Sequence, residues 1–307
     1  MANRYTLRTT LHTRLTLRTT RKHIDTLPDT PGVYLFYGSV GELLYVGKSK
    51  NIRTRVRAHF SAADEGRMCR QVQLIEFRET AGELGALLLE SQFIKELRPV
   101  YNVRARQKRR IVVARRVKKR TGYSSVVLDA IDSIDPAHTS PLMAIFKTRT
   151  QAKEYLAKIA KTYRLCPKLL QLEITNRHCF SYHLGQCSGA CMGLEDPILY
   201  NARFEEAFAE RRIKAWPFTG GVIIEERDKD NTEGEVFLVD NWCLLYSFKY
   251  SLDRYELNVR GTHRFDYDSY RILCRYIFDE ANQEKIRCVS RGEFDAIVRR
   301  AMSVGDA

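Results

Sequence analysis

The chain has 307 residues, of which 44% are hydrophobic and 29% charged, so its composition excludes the collagen-like and disordered classes. It has no run of eighteen apolar residues, which excludes a membrane-spanning helix. The first 120 residues carry 26 Lys and Arg against 10 Asp and Glu, whereas the remaining 187 carry 25 against 27. A positive charge confined to one part of the chain predicts a polyanionic partner there, nucleic acid rather than an anionic membrane.

Residues 1–26 have low complexity. Thr6-Leu7-Arg8-Thr9-Thr10 recurs as Thr16-Leu17-Arg18-Thr19-Thr20, and no acidic residue precedes Asp25. We expect a basic arm here. Four arginines among the first twenty residues leave no apolar core for a secretory signal, so we expect a cytoplasmic protein, although the same composition also fits an organellar transit peptide.

The next eighty residues alternate between strand and helix patterns. The predicted elements are strands at residues 33–37 and 43–46, a helix from Ser49 to about Phe60, a strand at 71–78 and a helix at 82–97. The turn Gly38-Ser39-Val40-Gly41 joins the first two strands into a hairpin. We therefore predict a compact α+β module over residues 27–103.

The rest of the chain is predicted to form three further regions. They are a basic connector with strands and a helix (104–164), a helical four-cysteine region (165–214) and a small C-terminal α+β domain for docking or DNA binding (215–307). Their elements are predicted as strands at 122–128, 142–147, 221–226, 235–239 and 243–248, and as helices at 151–163 and 197–214. Residues 104–120 hold ten Lys and Arg around the apolar patch Ile111–Ala114, which favours phosphate contacts; a localisation patch or a solvated surface is the alternative.

One set of residues in the first module could carry chemistry. Tyr34 and Tyr45 are predicted to lie close across the hairpin, where paired residues are about 5 Å apart. Lys48 follows the second strand, and Glu90 lies at the edge of the buried stripe of the long helix, where a carboxylate is costly unless it is paired or binds a cation. Each residue alone has an ordinary structural explanation. Together with a helix arginine they make a rational site for Mg²⁺-dependent phosphodiester hydrolysis.

The stretches Pro31–Tyr34 and Leu44–Arg55 (LYVGKSKNIRTR) resemble the GIY-YIG nuclease module, a small mixed or antiparallel three-stranded sheet flanked by helices. Residues 85–95 and 99–102 resemble its later half, in the form carried by the UvrC nucleotide-excision-repair nucleases. The resemblance implies Tyr45 as general base assisted by Lys48, Tyr34 as a second active-site tyrosine, Arg55 on the scissile phosphate, Glu90 as ligand of a single Mg²⁺ or Mn²⁺, and Asn102 as a supporting polar residue. Where UvrC proteins carry a further tyrosine, this sequence has His59, which we expect to be structural or to contact phosphate.

Four of the eight cysteines, Cys166, Cys179, Cys187 and Cys191, fall within 26 residues. Without an export signal, such a cluster is typical of metal binding rather than of disulfides. The spacing leaves an iron–sulfur cluster, a zinc ion and unligated buried thiols open. The same stretch looks like the cysteine region of UvrC proteins, which implies a [4Fe-4S] cluster. His178 and His183 could replace a ligand or simply lie in a surface loop.

Length and motif order are similar to the short UvrC homologues of the Cho type, because no Asp-Ile-Ser-His signature of a second nuclease domain follows Ala215. This resemblance implies a single incision on the 3′ side of a lesion in damaged double-stranded DNA, on a complex prepared by UvrB. A structure-selective GIY-YIG nuclease that needs no UvrB and a non-catalytic nucleic-acid-binding protein are the alternatives. The expected DNA contacts are Lys50, Arg53, His59, Arg104, Arg106, Lys108, Arg109 and Arg110.

Overall fold

A computed structural model describes residues 13–16, 24–102, 111–131, 142–251, 254–261, 265–290, 292–297 and 299. The chain divides into two compact units: residues 1–108 together with 218–307 make up one, and residues 109–217 make up the other. Across the described ranges, every helix is too short or too polar to cross a membrane.

The first unit opens with an antiparallel sheet and three helices, which confirms the predicted α+β module. Its strands are β1 (Thr13–Thr16), β2 (Gly32–Tyr37), β3 (Leu43–Ser49) and β4 (Leu74–Glu79), in the order β1–β4–β2–β3. Its helices are α1 (Ile52–Ser61), α2 (Gly66–Cys69) and α3 (Glu83–Leu97). Strand β1 adds a fourth strand to the predicted three, and it comes from the segment that we assign to a basic arm.

The two faces of this sheet bury different sets of side chains because residues alternate along a strand. On one face, Tyr34 and Phe36 of β2 pack in a cluster with Ile52 and Val56 of α1. On the opposite face, residues such as Val33 pack in a cluster with side chains of α3. The hairpin is therefore packed between α1 and α3. Glu90 of α3 lies beside strand β3.

The second unit contains a three-stranded antiparallel sheet and helices that enclose the cysteines. Its elements are β5 (Ile111–Lys118), β6 (Ser124–Ile131), β7 (Leu142–Phe146), α4 (Arg149–Thr162), α5 (Phe180–His183) and α6 (Pro197–Phe208). Strand β5 lies at the centre of the sheet, in the order β6–β5–β7, within the basic run for which we expected phosphate contacts and predicted no strand. Two of its charges are neutralised locally, since Arg115 pairs with Asp129 and Arg116 with Glu205.

The C-terminal part of the first unit is a five-stranded antiparallel sheet with one long helix. Its elements are β8 (Val222–Arg227), β9 (Glu233–Asp240), β10 (Cys243–Ser251), β11 (Arg254–Arg260), α7 (Tyr267–Ile277) and β12 (Ile286–Cys288). The sheet order is β11–β10–β9–β8–β12, and α7 packs against α3. The three strands expected here are confirmed as β8, β9 and β10, whereas the sequence interpretation missed β11, β12 and α7.

Candidate active site

Tyr34 and Tyr45 lie on the same face of the hairpin. The strand register pairs Tyr34 with Gly47 and Tyr45 with Phe36, so the two tyrosines are diagonal neighbours with ring centroids 6.2 Å apart. A Cβ atom at position 47 would lie 2.5 Å from Cζ of Tyr34, which explains why glycine occupies this position. The predicted closeness of the tyrosines is confirmed, although they do not face each other directly.

A chain of hydrogen bonds leads from the tyrosines into the core. The Tyr34 hydroxyl lies 2.6 Å from Nε2 of His59, and Nδ1 of the same ring contacts the Glu65 carboxylate. Burial lowers the pKa of His59, so its ring is neutral near pH 7. Because a carboxylate only accepts hydrogen bonds, Nδ1 carries the proton and Nε2 accepts from Tyr34. The Arg55 guanidinium donates a hydrogen bond to the Tyr34 oxygen, which opposes the effect of burial on the pKa of Tyr34.

Both tyrosines are weak acids in this setting. Burial is the main cause that raises the pKa of Tyr34, and the neighbouring Tyr45 adds to it. Burial and then the negative charge of Glu90 raise the pKa of Tyr45. The guanidinium of Arg55 opposes both shifts. Positive charge near Glu90 is therefore what a Tyr45 phenolate requires.

Glu90 lies on α3 where the helix passes β3. Its Oε1 accepts a hydrogen bond of 3.1 Å from the backbone amide of Lys48, and burial raises its pKa against the opposing effects of Lys48 and Arg55. Among the described residues, none donates a hydrogen bond to its second oxygen, Oε2. A hard cation such as Mg²⁺ takes oxygen ligands and keeps several waters, so one carboxylate with a free oxygen fits it.

The side chain of Lys48 is directed to a different carboxylate. Its Nζ lies 3.0 Å from Oε1 of Glu83, and Nζ of Lys50 lies 2.7 Å from the other oxygen of Glu83. Although burial acts against it, these hydrogen bonds lower the pKa of Glu83. Glu83 is a residue that the sequence interpretation did not single out, and it holds the ammonium group expected to assist Tyr45.

Asn102 fixes the strand beside the tyrosine. Its Oδ1 accepts a hydrogen bond from the Val46 amide, and its Nδ2 donates one to the Val46 carbonyl, both at 2.9 Å. Asn102 thus pairs with the β3 backbone like a further strand residue. This geometry places it next to Tyr45, as a supporting polar residue would be.

Three of the eight expected DNA contacts lie in the described part of the chain. Lys50 is exposed but paired with Glu83, and Arg53 pairs with Asp29 at 2.6 Å and donates to the Leu27 carbonyl at 2.5 Å. His59 is only 2% exposed and faces the tyrosines instead of solvent. The remaining five, Arg104, Arg106, Lys108, Arg109 and Arg110, lie outside the described residues.

The cysteine cluster of the second unit is assembled in its core. The sulfur atoms of Cys166, Cys179 and Cys187 lie within 4.8 Å of one another, and all three residues are buried. The sulfur of Cys191 is 3.4 Å from the Cys179 amide, which donates to it. Three of the four predicted cysteines therefore converge, and the sulfur of the fourth, Cys191, lies beside the backbone of Cys179.

One cysteine of the cluster, Cys187, favours thiolate, the form in which cysteine binds metals. The hydrogen bond from Cys166 lowers the pKa of Cys187 to about 6, whereas burial raises the pKa of Cys179 to about 12. The Gly189 amide also donates to the sulfur of Cys187 at 3.4 Å. Converging sulfur ligands of this kind fit zinc or an iron–sulfur cluster.

The two histidines of this region lie apart from the sulfur group. Nε2 of His178 and Nε2 of His183 are 2.5 Å from each other, and His183 is exposed. The buried ligand group in the described part of the chain consists of cysteines alone. A loop position for the histidines thus agrees with the geometry better than ligand replacement does.

Three family models match the chain in succession. The UvrC-like GIY-YIG domain matches residues 30–103, the UvrC/Cho excinuclease middle domain matches 101–210, and the excinuclease Cho C-terminal domain matches 221–292. Excinuclease cho of Salmonella typhi is 35% identical over 258 residues, which cover 83% of this chain and 85% of that protein. The chain belongs to the Cho excinuclease family. It is therefore an excision-repair nuclease with a GIY-YIG endonuclease domain.

The chain is also similar to other Cho and UvrC proteins. Excinuclease cho of Escherichia coli (strain K12) is 36% identical over 83% of this chain and 85% of its own length. UvrABC system protein C of Desulforudis audaxviator (strain MP104C) is 34% identical over 58% of this chain and 29% of its own length. The crystal structure of the GIY-YIG N-terminal endonuclease domain of UvrC from Thermotoga maritima, bound to its catalytic divalent cation magnesium, is 33% identical. It covers 27% of this chain and 93% of that chain, with a TM-score of 0.25.

Proposed function

We propose that this Cho-family chain makes one incision in damaged double-stranded DNA, on the 3′ side of the lesion, in a complex prepared by UvrB. The observation that carries the proposal is that Tyr34, Tyr45, Arg55 and Glu90 lie close enough in the first unit to influence one another's pKa values. A phosphate, a base and a cation ligand need such a common site. The match to the Cho C-terminal domain supports the single incision that the Cho-type resemblance implies.

In the proposed mechanism, Arg55 and Tyr45 have different roles. Arg55 neutralises charge on the scissile phosphate, and Tyr45 accepts a proton from the attacking water. As the new P–O bond to the water oxygen forms, the P–O ester bond to one of the two neighbouring deoxyriboses breaks. The leaving alkoxide takes a proton from solvent. The hydrogen bond from the Tyr34 hydroxyl to His59 holds the Tyr34 ring in place beside Tyr45.

Glu90 would hold a single Mg²⁺ or Mn²⁺ through its second oxygen. When bound, such an ion supplies positive charge against the phosphate and lowers the pKa of a coordinated water. Glu83 keeps Lys48 and Lys50 at the rim of the site, where their charge supports phosphate binding. Asn102 keeps β3 and therefore Tyr45 in position.

Basic residues and the four cysteines have supporting roles in the proposed function. The basic residues from Arg104 to Arg110, next in sequence to Asn102, would contact phosphates without reading sequence. The four cysteines would hold a [4Fe-4S] cluster that stabilises the second unit, because four protein ligands leave no open position for substrate.

Incision of a duplex with one lesion, with and without UvrB, tests this function. We expect Mg²⁺-dependent cutting at one position 3′ to the lesion only when UvrB is present. Flap and junction DNA without UvrB serve as the comparison substrates. Efficient cutting of those substrates by the chain alone would favour a structure-selective nuclease, and DNA binding without any cleavage would favour a non-catalytic protein.

A further inference from the structure

The helix that carries Glu90 has an unusual N-terminus. An α-helix begins with backbone N–H groups that have no partner within the helix. In the described part of the chain, the other helices of ten or more residues are each capped by their own N-cap side chain: Asn51, Thr148, Asp196 and Asp266. The N-cap of α3 is Gly82, which has no side chain to offer.

The missing cap comes from the C-terminal sheet. Glu226 of β8 accepts a hydrogen bond from the Leu84 amide at 3.1 Å and one from the Gly85 amide at 2.9 Å. These partners are separated by more than 140 positions in sequence. Glu226 is only 6% exposed, so its carboxylate is committed to the helix and not to solvent. A carboxylate at this end also complements the helix dipole.

A second buried carboxylate lies against the same turn. Glu235 of β9 is the register partner of Glu226 and is 1% exposed. It accepts hydrogen bonds from Ser247 at 3.0 Å and from Asn258 at 2.5 Å. A Cβ atom at position 85 would lie 2.5 Å from Oε2 of Glu235, so glycine at this position permits the close approach.

The other end of α3 is also held by the C-terminal part. Nζ of Lys95, in the last turn, lies 2.5 Å from Oδ2 of Asp266, which caps α7. Glu90 lies between these two attachments. It is about 9 Å along the helix axis from Leu84, at a rise of 1.5 Å per residue. Both ends of the helix are therefore fixed by carboxylates of the C-terminal sheet and helix.

We infer that Glu226 is a positioning residue for the metal site, which it controls by fixing the axial position and rotation of α3. The inference rests on the proposed role of Glu90 as metal ligand. A metal ligand works only within about 0.5 Å of its productive position. A one-residue slip of a helix turns its side chains by about 100°. The C-terminal part of this chain thereby takes part in the nuclease site without contributing a catalytic residue.

The test compares three variants of the full chain: Glu226→Ala, Glu90→Ala and, as matched control, Glu225→Ala. Glu225 precedes Glu226 on β8 but bonds to Arg227 and Tyr250 instead of the helix. Two measurements are made without DNA: amide hydrogen exchange over residues 84–90, and Mn²⁺ binding by calorimetry. Mg²⁺ titration of incision is the third measurement.

We expect Glu226→Ala to exchange the Leu84 and Gly85 amides faster than wild type and to bind Mn²⁺ about 10-fold more weakly, the size typical of a lost supporting group. The Mg²⁺ needed for half-maximal incision should rise by the same factor, while the rate at saturating Mg²⁺ returns close to wild type. The control should match wild type in all three measurements. If Glu226→Ala does not fold, Glu226→Gln keeps one acceptor oxygen and should give intermediate shifts.

Unchanged exchange and unchanged Mn²⁺ affinity in Glu226→Ala, or in Glu226→Gln where only that variant folds, would overturn the inference. The proposed metal site has a separate outcome. If Glu90→Ala binds Mn²⁺ as tightly as wild type, Glu90 is not the ligand, and the positioning role for a metal site falls with it. Exchange at Leu84 and Gly85 then still reports whether Glu226 caps α3.

Discussion

The backbone amide of Lys48 donates a hydrogen bond of 3.1 Å to the carboxylate of Glu90. This bond joins two residues that are 42 positions apart in sequence, and it fastens α3 to the strand that carries Tyr45. The base and the metal ligand of the proposed mechanism are therefore held on one framework. Its consequences can be measured residue by residue.

The pH dependence of incision reports on Tyr45. Burial and the charge of Glu90 raise its pKa above the ordinary value of about 10. Only the phenolate accepts a proton, and its fraction grows as pH rises toward that pKa. In single-turnover assays at saturating Mg²⁺, we expect the logarithm of the rate to increase with pH from about 6.5 to above 9 with a slope near one.

Tyr45→Phe is the matching variant for this profile. It keeps the ring but removes the proton acceptor, so we expect a rate about 10²–10⁴-fold lower and a flat pH profile. A wild-type rate in Tyr45→Phe, or a wild-type profile without slope, would refute the base assignment.

The hydrogen bond between Tyr34 and His59 has a measurable effect on stability. His59→Phe leaves the buried Tyr34 hydroxyl without its acceptor, so we expect the free energy of unfolding at pH 7.5 to fall by about 1–3 kcal/mol. Adding Tyr34→Phe removes the unsatisfied group and should recover part of the loss. Urea unfolding of both single variants and the double variant measures the coupling. Strictly additive losses would mean that the bond contributes nothing.

If the four cysteines hold a [4Fe-4S] cluster, the purified protein should be coloured. Purified without oxygen, the chain should be brown, with broad absorption near about 400 nm and about four iron atoms per chain. Cys187→Ser should lose iron and colour, because Cys187 lies in the converging sulfur group. Cys288→Ser is the control, since Cys288 is exposed and lies in the first unit. A colourless protein with stoichiometric zinc would contradict the iron–sulfur assignment.

Local patterns predicted much of the first module. The hairpin strands follow from their aromatic and β-branched residues and the Gly38–Gly41 turn, and α3 follows from its leucine spacing and Pro99. Strand β5 was missed because Arg115 and Arg116 mask its pattern. Their ion-pair partners, Asp129 and Glu205, are 14 and 89 positions away in sequence, so the local pattern does not show that these charges are paired.

Long-range polar partners account for what the sequence could not predict at the site. Glu83 takes the Lys48 ammonium, and Glu65 sets the tautomer of His59. Glu226 looks like an ordinary strand glutamate, because its partners are backbone amides of a helix that begins at Glu83. The one local signal is that Glu226 lies on a buried strand face opposite Glu235, where a carboxylate needs hydrogen-bond partners.

The most direct test of the central claim is Mg²⁺-dependent incision of a single-lesion duplex by Glu90→Ala, with UvrB present. Glu96→Ala is the matched control, because Glu96 lies exposed on the same helix and its side chain accepts a hydrogen bond from Gln92, away from the site. We predict that Glu90→Ala binds DNA as wild type does but makes no incision at any Mg²⁺ concentration, while the control cuts normally. Incision at the wild-type rate by Glu90→Ala would contradict a metal site at this carboxylate.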